Sequence, residues 1–151
     1  SKTLQTLSPT LHKHGLKLQP GRVAGCCVVN GKAIIMLPGL IQSTVNAFVY
    51  LALPLIKKLS GQEATRYDAM LRARLAEDLI FHRFPDFKKM RWVSLRKEGG
   101  ELVAYPITGE SPMLNVLVRA NGYVLIEPNR MLVEKGSYVD VALVQGLSSL
   151  P

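Results

Sequence analysis

Acidic side chains are absent from the first 60 residues of this 151-residue chain, which nevertheless contain seven lysines and arginines. The rest of the chain has 12 basic and 11 acidic residues, so seven of the eight excess positive charges lie in residues 1–60. This part therefore supplies no carboxylate for acid–base catalysis or for binding Mg²⁺. Its charge fits an anionic partner such as phosphate, another oxyanion or nucleic acid, although a loosely basic surface would have the same composition.

Cysteine is scarce, because the chain contains only Cys26 and Cys27, which are adjacent. Neighbouring residues of a strand point to opposite faces, so these two thiols are poorly placed to bond to each other. Two cysteines alone also make no zinc site. We interpret both as small apolar strand residues of a protein in a reducing cytoplasm.

Long hydrophobic runs are missing as well. The most apolar stretch, Ala47–Ile56, has about half the length of a membrane-spanning helix and contains Pro54. The N-terminus is polar and shows no hydrophobic run with a cleavage site, so no signal peptide is expected. These features predict a buried helix and no membrane association.

Sequence signatures of catalysis and metal binding are lacking too. The chain has no phosphate-binding glycine loop, dinucleotide fingerprint, catalytic Ser/His/Asp order or zinc motif. His12 and His14 have a spacing that a strand could use for a metal pair, but no third ligand is evident. We therefore assign no catalytic residue and predict no metal site.

Residues 1–60 are predicted to form strands and one helix, the layout of a partial α/β unit. Asn30-Gly31 lies between the apolar runs Val23–Val29 and Ala33–Leu37, which is typical of a β-hairpin. Ser43 or Thr44 is expected to cap a helix that continues to about residue 58. Apolar residues cover nearly all faces of that helix, which predicts that it is buried.

Residues 61–151 favour a second domain of short strands, with the boundary near residues 59–66. Turn signals at regular spacing separate the apolar runs, which suggests a small β-barrel or sandwich. The predicted strands are Ala69–Ala76, Arg91–Arg96, Glu101–Pro106, Tyr123–Glu127 and Tyr138–Val144. Other expectations for this part are a short helix Pro112–Val118, turns at residues 98–100 and 121–122, a core Trp92 and a surface turn over Lys88–Arg91.

Several motifs, in order, resemble the MoeA/gephyrin family of molybdenum-insertion enzymes. His14–Arg22 is similar to the family's H-G-x-x-x-K-P-G-K turn, and Val29–Gly39 followed by Ser43 is similar to its hairpin and G-x-P-G-N-P-x-S turn. Leu117–Gly122 resembles the L-A-R-A-N-G segment of the family's fourth domain. The resemblance covers about residues 14–144 and places Leu71–Ala76 in that domain's first strand.

The resemblance implies a fold, a reaction and a partial chain. Residues 1–60 would be the C-terminal half of a MogA-like molybdopterin-binding α/β domain, and residues 61–151 a small β-barrel C-terminal domain. Family members insert molybdate into adenylylated molybdopterin with Mg²⁺ or a similar cation, as cytoplasmic dimers. The family's catalytic aspartate would lie upstream of Ser1, which agrees with the lack of carboxylates in residues 1–60.

The Pro20-Gly21-Arg22 turn is the first candidate contact to the molybdopterin-type anion. Gly21 would let the backbone approach a ligand closely, and the Arg22 guanidinium can form a fork on two oxygens of a phosphate or molybdate. An ordinary Pro-Gly turn with a solvated arginine would show the same pattern. The family has lysine at the position of Gln19, and Lys17 is a possible replacement for that cation.

The Pro38-Gly39 turn before the helix is the second candidate contact. Backbone N–H groups at a helix N-terminus attract anions, and the Ser43 hydroxyl would add a donor. An ordinary capping serine gives the same pattern. Leu40 and Ile41 replace the family's Asn-Pro, and Asn115-Val116 stands where the family commonly has Ser-Ser.

Three function classes follow from these observations. The first is part of a molybdopterin molybdotransferase that the chain alone would not complete. The second is a MoeA-like module that binds a ligand or regulates without turning it over, which the residues at positions 19, 40 and 41 suggest. The third is a basic nucleic-acid-binding barrel, whose affinity would fall steeply with salt.

Overall fold

The computed structural model describes residues 2–62, 70–107 and 114–144. The strands before residue 62 are β1 (Leu11–His14), β2 (Leu18–Gln19), β3 (Gly25–Val29) and β4 (Lys32–Met36). The later strands are β5 (Met70–Leu75), β6 (Leu79–Ile80), β7 (Lys88–Glu98), β8 (Glu101–Pro106), β9 (Gly122–Ile126), β10 (Leu132–Val133) and β11 (Tyr138–Leu143). The helices are α1 (Lys2–Gln5), α2 (Ile41–Ala47), α3 (Leu53–Leu59) and α4 (Leu114–Arg119), with a π-helical segment Phe48–Ala52 between α2 and α3.

A closed five-stranded barrel forms most of the second half of the chain. Its strands follow the order β7-β8-β5-β11-β9, and pairing of β9 with β7 closes the ring. Only the β5–β8 pair among these strands is parallel. Alternate residues of each strand fill the interior, including Leu75, Val93, Leu95, Val124 and Val141. The predicted barrel and its five strands are confirmed, with shifts of a few residues at the ends.

Residues 1–60 form an antiparallel sheet β1-β3-β4 and one continuous helical stretch from α2 through α3. The predicted hairpin is confirmed, because β3 and β4 pair from Gly25 opposite Met36 to Val29 opposite Lys32. Cys26 and Cys27 are free thiols on opposite faces of β3, as predicted, and Cys27 is buried.

The predicted helix cap is wrong. The helix begins at Ile41, and Leu40 in the capping position makes no side-chain hydrogen bond. Ser43 and Thr44 therefore lie inside the first turns. The Thr44 hydroxyl instead donates to the carbonyls of Pro38 and Leu40, because a threonine inside a helix can reach a carbonyl of the preceding turn.

Strand β7 differs from the expectation for residues 88–91. These residues lie in the strand and not in a surface turn, and Lys89 is only 1% exposed. Trp92 is in the core as predicted, at 2% exposure. Because side chains alternate along β7, Trp92 faces out of the barrel and packs in a second cluster with Leu18, Tyr123 and Val116.

The two halves of the chain are joined by hydrogen bonds. Strand β2 pairs in parallel with β7, with Leu18 opposite Lys88 and Gln19 opposite Lys89. The division into residues 1–60 and 61–151 stays a prediction, and part of the predicted boundary, with Ala69 and Pro112, lies outside the described residues. In the parts that the structure describes, no helix is long and apolar enough to cross a membrane.

Candidate anion-binding site

Asn46 of α2 connects the Pro20-Gly21 turn to the barrel. Its Oδ1 accepts a hydrogen bond of 2.8 Å from the Trp92 indole Nε1, and its Nδ2 donates to the Pro20 carbonyl at 3.0 Å. Asn46 is fully buried, so both bonds satisfy polar groups that would otherwise be unpaired in the interior. The turn, the helix and strand β7 are thereby held in one arrangement.

A cavity of about 150 Å³ lies where these three elements meet. Its lining residues come from the end of β2, helix α2, the segment after β6 and strand β7, and are Gln19, Pro20, Gln42, Phe81, Lys89, Met90 and Arg91. A neighbouring open cleft of about 240 Å³ shares Gln19, Phe81 and Arg91 and continues to His82 and Arg83. No carboxylate lines either space.

The cavity is electropositive because a buried lysine and a partly buried arginine line it. The Lys89 ammonium donates to the carbonyl oxygens of Phe84 and Phe87, the latter at 3.1 Å. Burial lowers the pKa of Lys89, and the nearby Asp86 carboxylate opposes that shift. Burial also lowers the pKa of Arg91, but a guanidinium remains charged at neutral pH. Among the described residues, no salt bridge pairs either cation with a carboxylate.

Three side-chain atoms of residues that line the cavity have almost no accessible surface and no hydrogen-bond partner in the described parts of the chain. They are the Arg91 Nε and the side-chain Oε1 atoms of Gln19 and Gln42. The Gln42 side chain lies on α2, and the residue is only 3% exposed. The Arg91 guanidinium carbon lies 5.4 Å from the centroid of the Phe81 ring, which keeps it at the cavity.

The predicted Pro20-Gly21-Arg22 contacts are separated by the structure. Pro20 lines the cavity. Gly21 is buried with φ +135°, a conformation that requires glycine. Arg22 points elsewhere, because its guanidinium carbon lies 5.4 Å from the Phe84 ring centroid in an exposed region. Lys17 does not replace a cation at the cavity, since it pairs with Asp86 at 2.9 Å.

The predicted Pro38, Gly39 and Ser43 contacts do not line this cavity. Gly39 is exposed and has open space where a Cβ would lie. Ser43 is 7% exposed and lies beside Gln42 on α2. The role of these three residues in binding an anion stays a prediction.

Sequence reasoning missed Gln42, Lys89 and Arg91 as members of the site. Alternation along β7 could have indicated Lys89 and Arg91, because these residues share a strand face with the core residues Val93 and Leu95. Charged side chains in register with a core face are seldom buried without a reason. Gln42 carried no comparable signal, because its position depends on how the helix packs.

Asn46→Leu is expected to shift the fluorescence emission of the single tryptophan to shorter wavelength, because it removes the hydrogen bond that Trp92 donates. Steady-state emission spectra of the folded protein check this result. The control is Thr44→Val, two residues earlier on the same helix, which should leave the spectrum unchanged. An unaltered spectrum of Asn46→Leu would contradict the bond.

The comparison with protein families concerns the barrel. The family model for the MoeA C-terminal region (domain IV) matches residues 72–144. This match spans 73 of the 151 residues and establishes the similarity to MoeA for the barrel. The predicted resemblance is thereby confirmed for the barrel strands and for the segment that ends at Gly122.

Solved structures extend the similarity beyond the barrel. A molybdopterin biosynthesis MoeA protein from Pyrococcus horikosii is 28% identical with a TM-score of 0.73, over 95% of this chain and 35% of that chain. A molybdenum cofactor biosynthesis protein from Pyrococcus furiosus is 22% identical with a TM-score of 0.71, over 89% of this chain and 46% of that one. The chain thus spans less than half the length of these proteins. A comparison with curated proteins gave no match.

The departures from the MoeA motifs now have positions in the structure. Gln19, where the family has lysine, lines the cavity, so the wall gains a neutral carboxamide and loses a charge. Leu40 and Ile41 replace Asn-Pro and are 54% and 44% exposed at the start of α2. The first departure therefore changes the chemistry of the cavity, whereas the second changes an exposed surface.

Proposed function

We propose that this chain is the C-terminal part of a protein of molybdenum cofactor biosynthesis, and that its cavity holds an oxyanion group of a molybdopterin-type molecule. The MoeA match over residues 72–144 and the 28% identity to a molybdopterin biosynthesis protein support the pathway. The single observation that supports the site is the cavity with Arg91 and Lys89 and no lining carboxylate.

Each part of the cavity would contribute differently to binding. The Arg91 guanidinium, which Phe81 keeps in place, would donate hydrogen bonds to the anion. Lys89 is fixed by two carbonyls and would act mainly through its charge. Burial would strengthen the attraction of both cations to the anion, because the protein interior screens charges less than water does. Pro20 and Met90 would exclude solvent around the bound group.

Insertion of molybdate into adenylylated molybdopterin is the reaction that the family resemblance implies, with Mg²⁺ as cofactor. The cavity does not fit Mg²⁺, because no carboxylate lines it and Mg²⁺ binds through oxygen ligands such as carboxylates. The described residues also contain no group of three or more His, Cys, Asp or Glu side chains that could hold a metal. We derive no step through a metal from this chain. A homodimer in the cytoplasm likewise stays a prediction from the resemblance.

Arg91→Gln is expected to weaken binding of inorganic phosphate at least tenfold. The substitution removes a charged donor, and hydrogen bonds to charged groups contribute about 1.5–3 kcal/mol. Titration calorimetry with the purified chain at low ionic strength measures the affinity. The matched control is Arg96→Gln, which removes the same charge from the same strand at an exposed position over Tyr105.

Equal loss of affinity in Arg91→Gln and Arg96→Gln would mean that net charge, and not the cavity, attracts the anion. That result would overturn the proposed site. Absence of phosphate and molybdate binding to the unmodified chain would overturn it as well. Circular dichroism of both variants verifies that the fold is retained.

A module that binds without catalysis is the second candidate. The neutral Gln19 in the cavity and the exposed apolar Leu40 and Ile41 favour it. Complementation of a molybdotransferase-deficient strain with the intact gene distinguishes the two, since rescue supports an enzyme. A nucleic-acid-binding role predicts affinity that falls steeply with salt, and binding of neither DNA nor RNA would exclude it.

A further inference from the structure

We propose that an open cleft beside Phe87 binds a small molecule with an aromatic body and one anionic group, such as an aromatic sulfonate or carboxylate. This Phe87 cleft has a volume of about 480 Å³, and its walls include His14, Leu16, Lys17, Arg22, Val23 and Phe87. None of these residues lines the oxyanion cavity or the cleft that continues from it. The site is therefore separate from the one in the proposed function.

Backbone hydrogen bonds fix the chain segments that form the walls of the Phe87 cleft. The Leu16 N–H donates to the Arg22 carbonyl at 2.9 Å, which joins the segments before and after β2. The Lys88 N–H, directly after Phe87, donates to the Lys17 carbonyl at 2.9 Å. The fold itself therefore holds the walls in place, which lowers the conformational entropy that a ligand must offset.

The apolar surface of the cleft comes from Leu16, Val23 and the Phe87 ring. Val23 is 52% exposed, and the other two side chains are half-buried. The Phe87 ring stacks on Phe84 with the ring centroids 5.0 Å apart, which fixes its orientation. A ligand that covers these three side chains removes apolar area from water, and an aromatic ligand can also pack against the Phe87 ring.

The charge around this apolar surface is positive, because no carboxylate of the described residues lines the cleft. The Arg22 guanidinium carbon lies 5.4 Å from the Phe84 ring centroid, so the ring helps to hold the side chain beside the cleft. Among the described residues, Arg22 has no salt bridge, and its guanidinium can donate to an anion. Lys17 already pairs with Asp86 at 2.9 Å and contributes less. The main contact of the anionic group is therefore Arg22.

Both parts of the ligand are needed for binding at this cleft. Arg22 is exposed, so water and salt screen its attraction to an inorganic anion. A neutral aromatic molecule covers the apolar surface but leaves the positive charge without a partner. The volume of about 480 Å³ lies within the roughly 300–1,000 Å³ of small-molecule sites, which fits a ligand larger than a single oxyanion.

The test is a series of calorimetric titrations of the chain with naphthalene-2-sulfonate, 2-naphthoate, naphthalene-2-sulfonamide and inorganic sulfate. The sulfonamide has nearly the shape of the sulfonate without its charge, and inorganic sulfate has the charge without the ring. We expect the sulfonate and the naphthoate to bind at least tenfold more tightly than either the sulfonamide or sulfate.

Variants at the cleft place the bound sulfonate. Arg22→Gln removes the charge and should weaken its binding at least fivefold, whereas Arg83→Gln removes an exposed charge from the other cleft and is the control. Val23→Asp removes apolar surface and adds a like charge, and should weaken binding at least tenfold. Its control is Val118→Asp, because Val118 is 72% exposed on α4. Arg91→Gln should leave the affinity for the sulfonate unchanged.

Three outcomes would overturn this inference without touching the proposed function, which the phosphate titration tests. The first is failure of both naphthalene anions to bind. The second is equal affinity for the sulfonate and the sulfonamide, which would remove the role of Arg22. The third is sulfonate binding that depends on Arg91 and not on Arg22 or Val23, which would place the aromatic anion in the oxyanion cavity. Circular dichroism verifies that each variant retains the fold.

Discussion

Asn121→Leu is expected to lower the free energy of unfolding by about 4 kcal/mol, because two buried backbone groups lose their partners at about 1–3 kcal/mol each. The Asn121 Oδ1 accepts from the Leu95 N–H at 2.7 Å, and its Nδ2 donates to the Leu95 carbonyl at 2.9 Å. The β7–β9 ladder ends where Val93 pairs with Gly122. The Asn121 side chain thus continues the ladder beyond the end of β9.

Denaturant unfolding followed by circular dichroism measures this loss. The matched control is Asn115→Leu, an exposed position on α4, where a change within about 0.5 kcal/mol is expected. A similar small loss in Asn121→Leu would show that the two bonds contribute little to stability. Intrinsic fluorescence of Trp92 provides an independent probe of the same transition.

Gly122→Ala is expected to lower the free energy of unfolding by about 3 kcal/mol. A Cβ at this position would lie 2.6 Å from the Val141 Cγ1 and 2.9 Å from the Ala142 carbonyl oxygen. Both neighbours belong to β11, which pairs with β9 in the wall of the barrel. The strands must separate to admit the methyl group, and overpacking of this kind costs about 1–3 kcal/mol or more.

The same unfolding measurement applies, and Gly39→Ala is the control. Gly39 has no atom within 4 Å of the Cβ that an alanine would add. Its substitution should change stability by less than about 1 kcal/mol. If Gly122→Ala were as stable as Gly39→Ala, the close approach of β9 and β11 would not be a constraint on the barrel.

Asn121 and Gly122 also show that residue composition alone does not predict every turn correctly. The Asn121-Gly122 pair predicts a turn, because Asn-Gly pairs often form turns. In the structure Gly122 is the first residue of β9, and Asn121 forms a side-chain bridge to β7. Asn30-Gly31 has the same composition and does form the predicted hairpin turn. The difference lies in what packs against each pair, which neither dipeptide encodes.

Local patterns were sufficient for the strands and for the class of fold. Alternating apolar residues between glycine-containing turns predicted β8 with its observed bounds and β5, β9 and β11 to within a few residues. The motifs up to Gly122 identified the family resemblance. The basic excess of residues 1–60 predicted an anionic partner, but both cations of the cavity, Lys89 and Arg91, come from β7, and residues 1–60 contribute neutral side chains to its wall.

The membership of the candidate site was decided by tertiary structure. Gln19, Gln42 and Arg91 are separated by 23 and 49 positions in sequence, yet they line one cavity because β2 pairs with β7 and α2 packs across both. The sequence by itself determined the strands, the barrel and the positive charge, since these depend on local periodicity and composition. Only the packing of distant elements decided that Arg22 turns away to Phe84 and that Arg91 lines a cavity with Gln19 and Gln42.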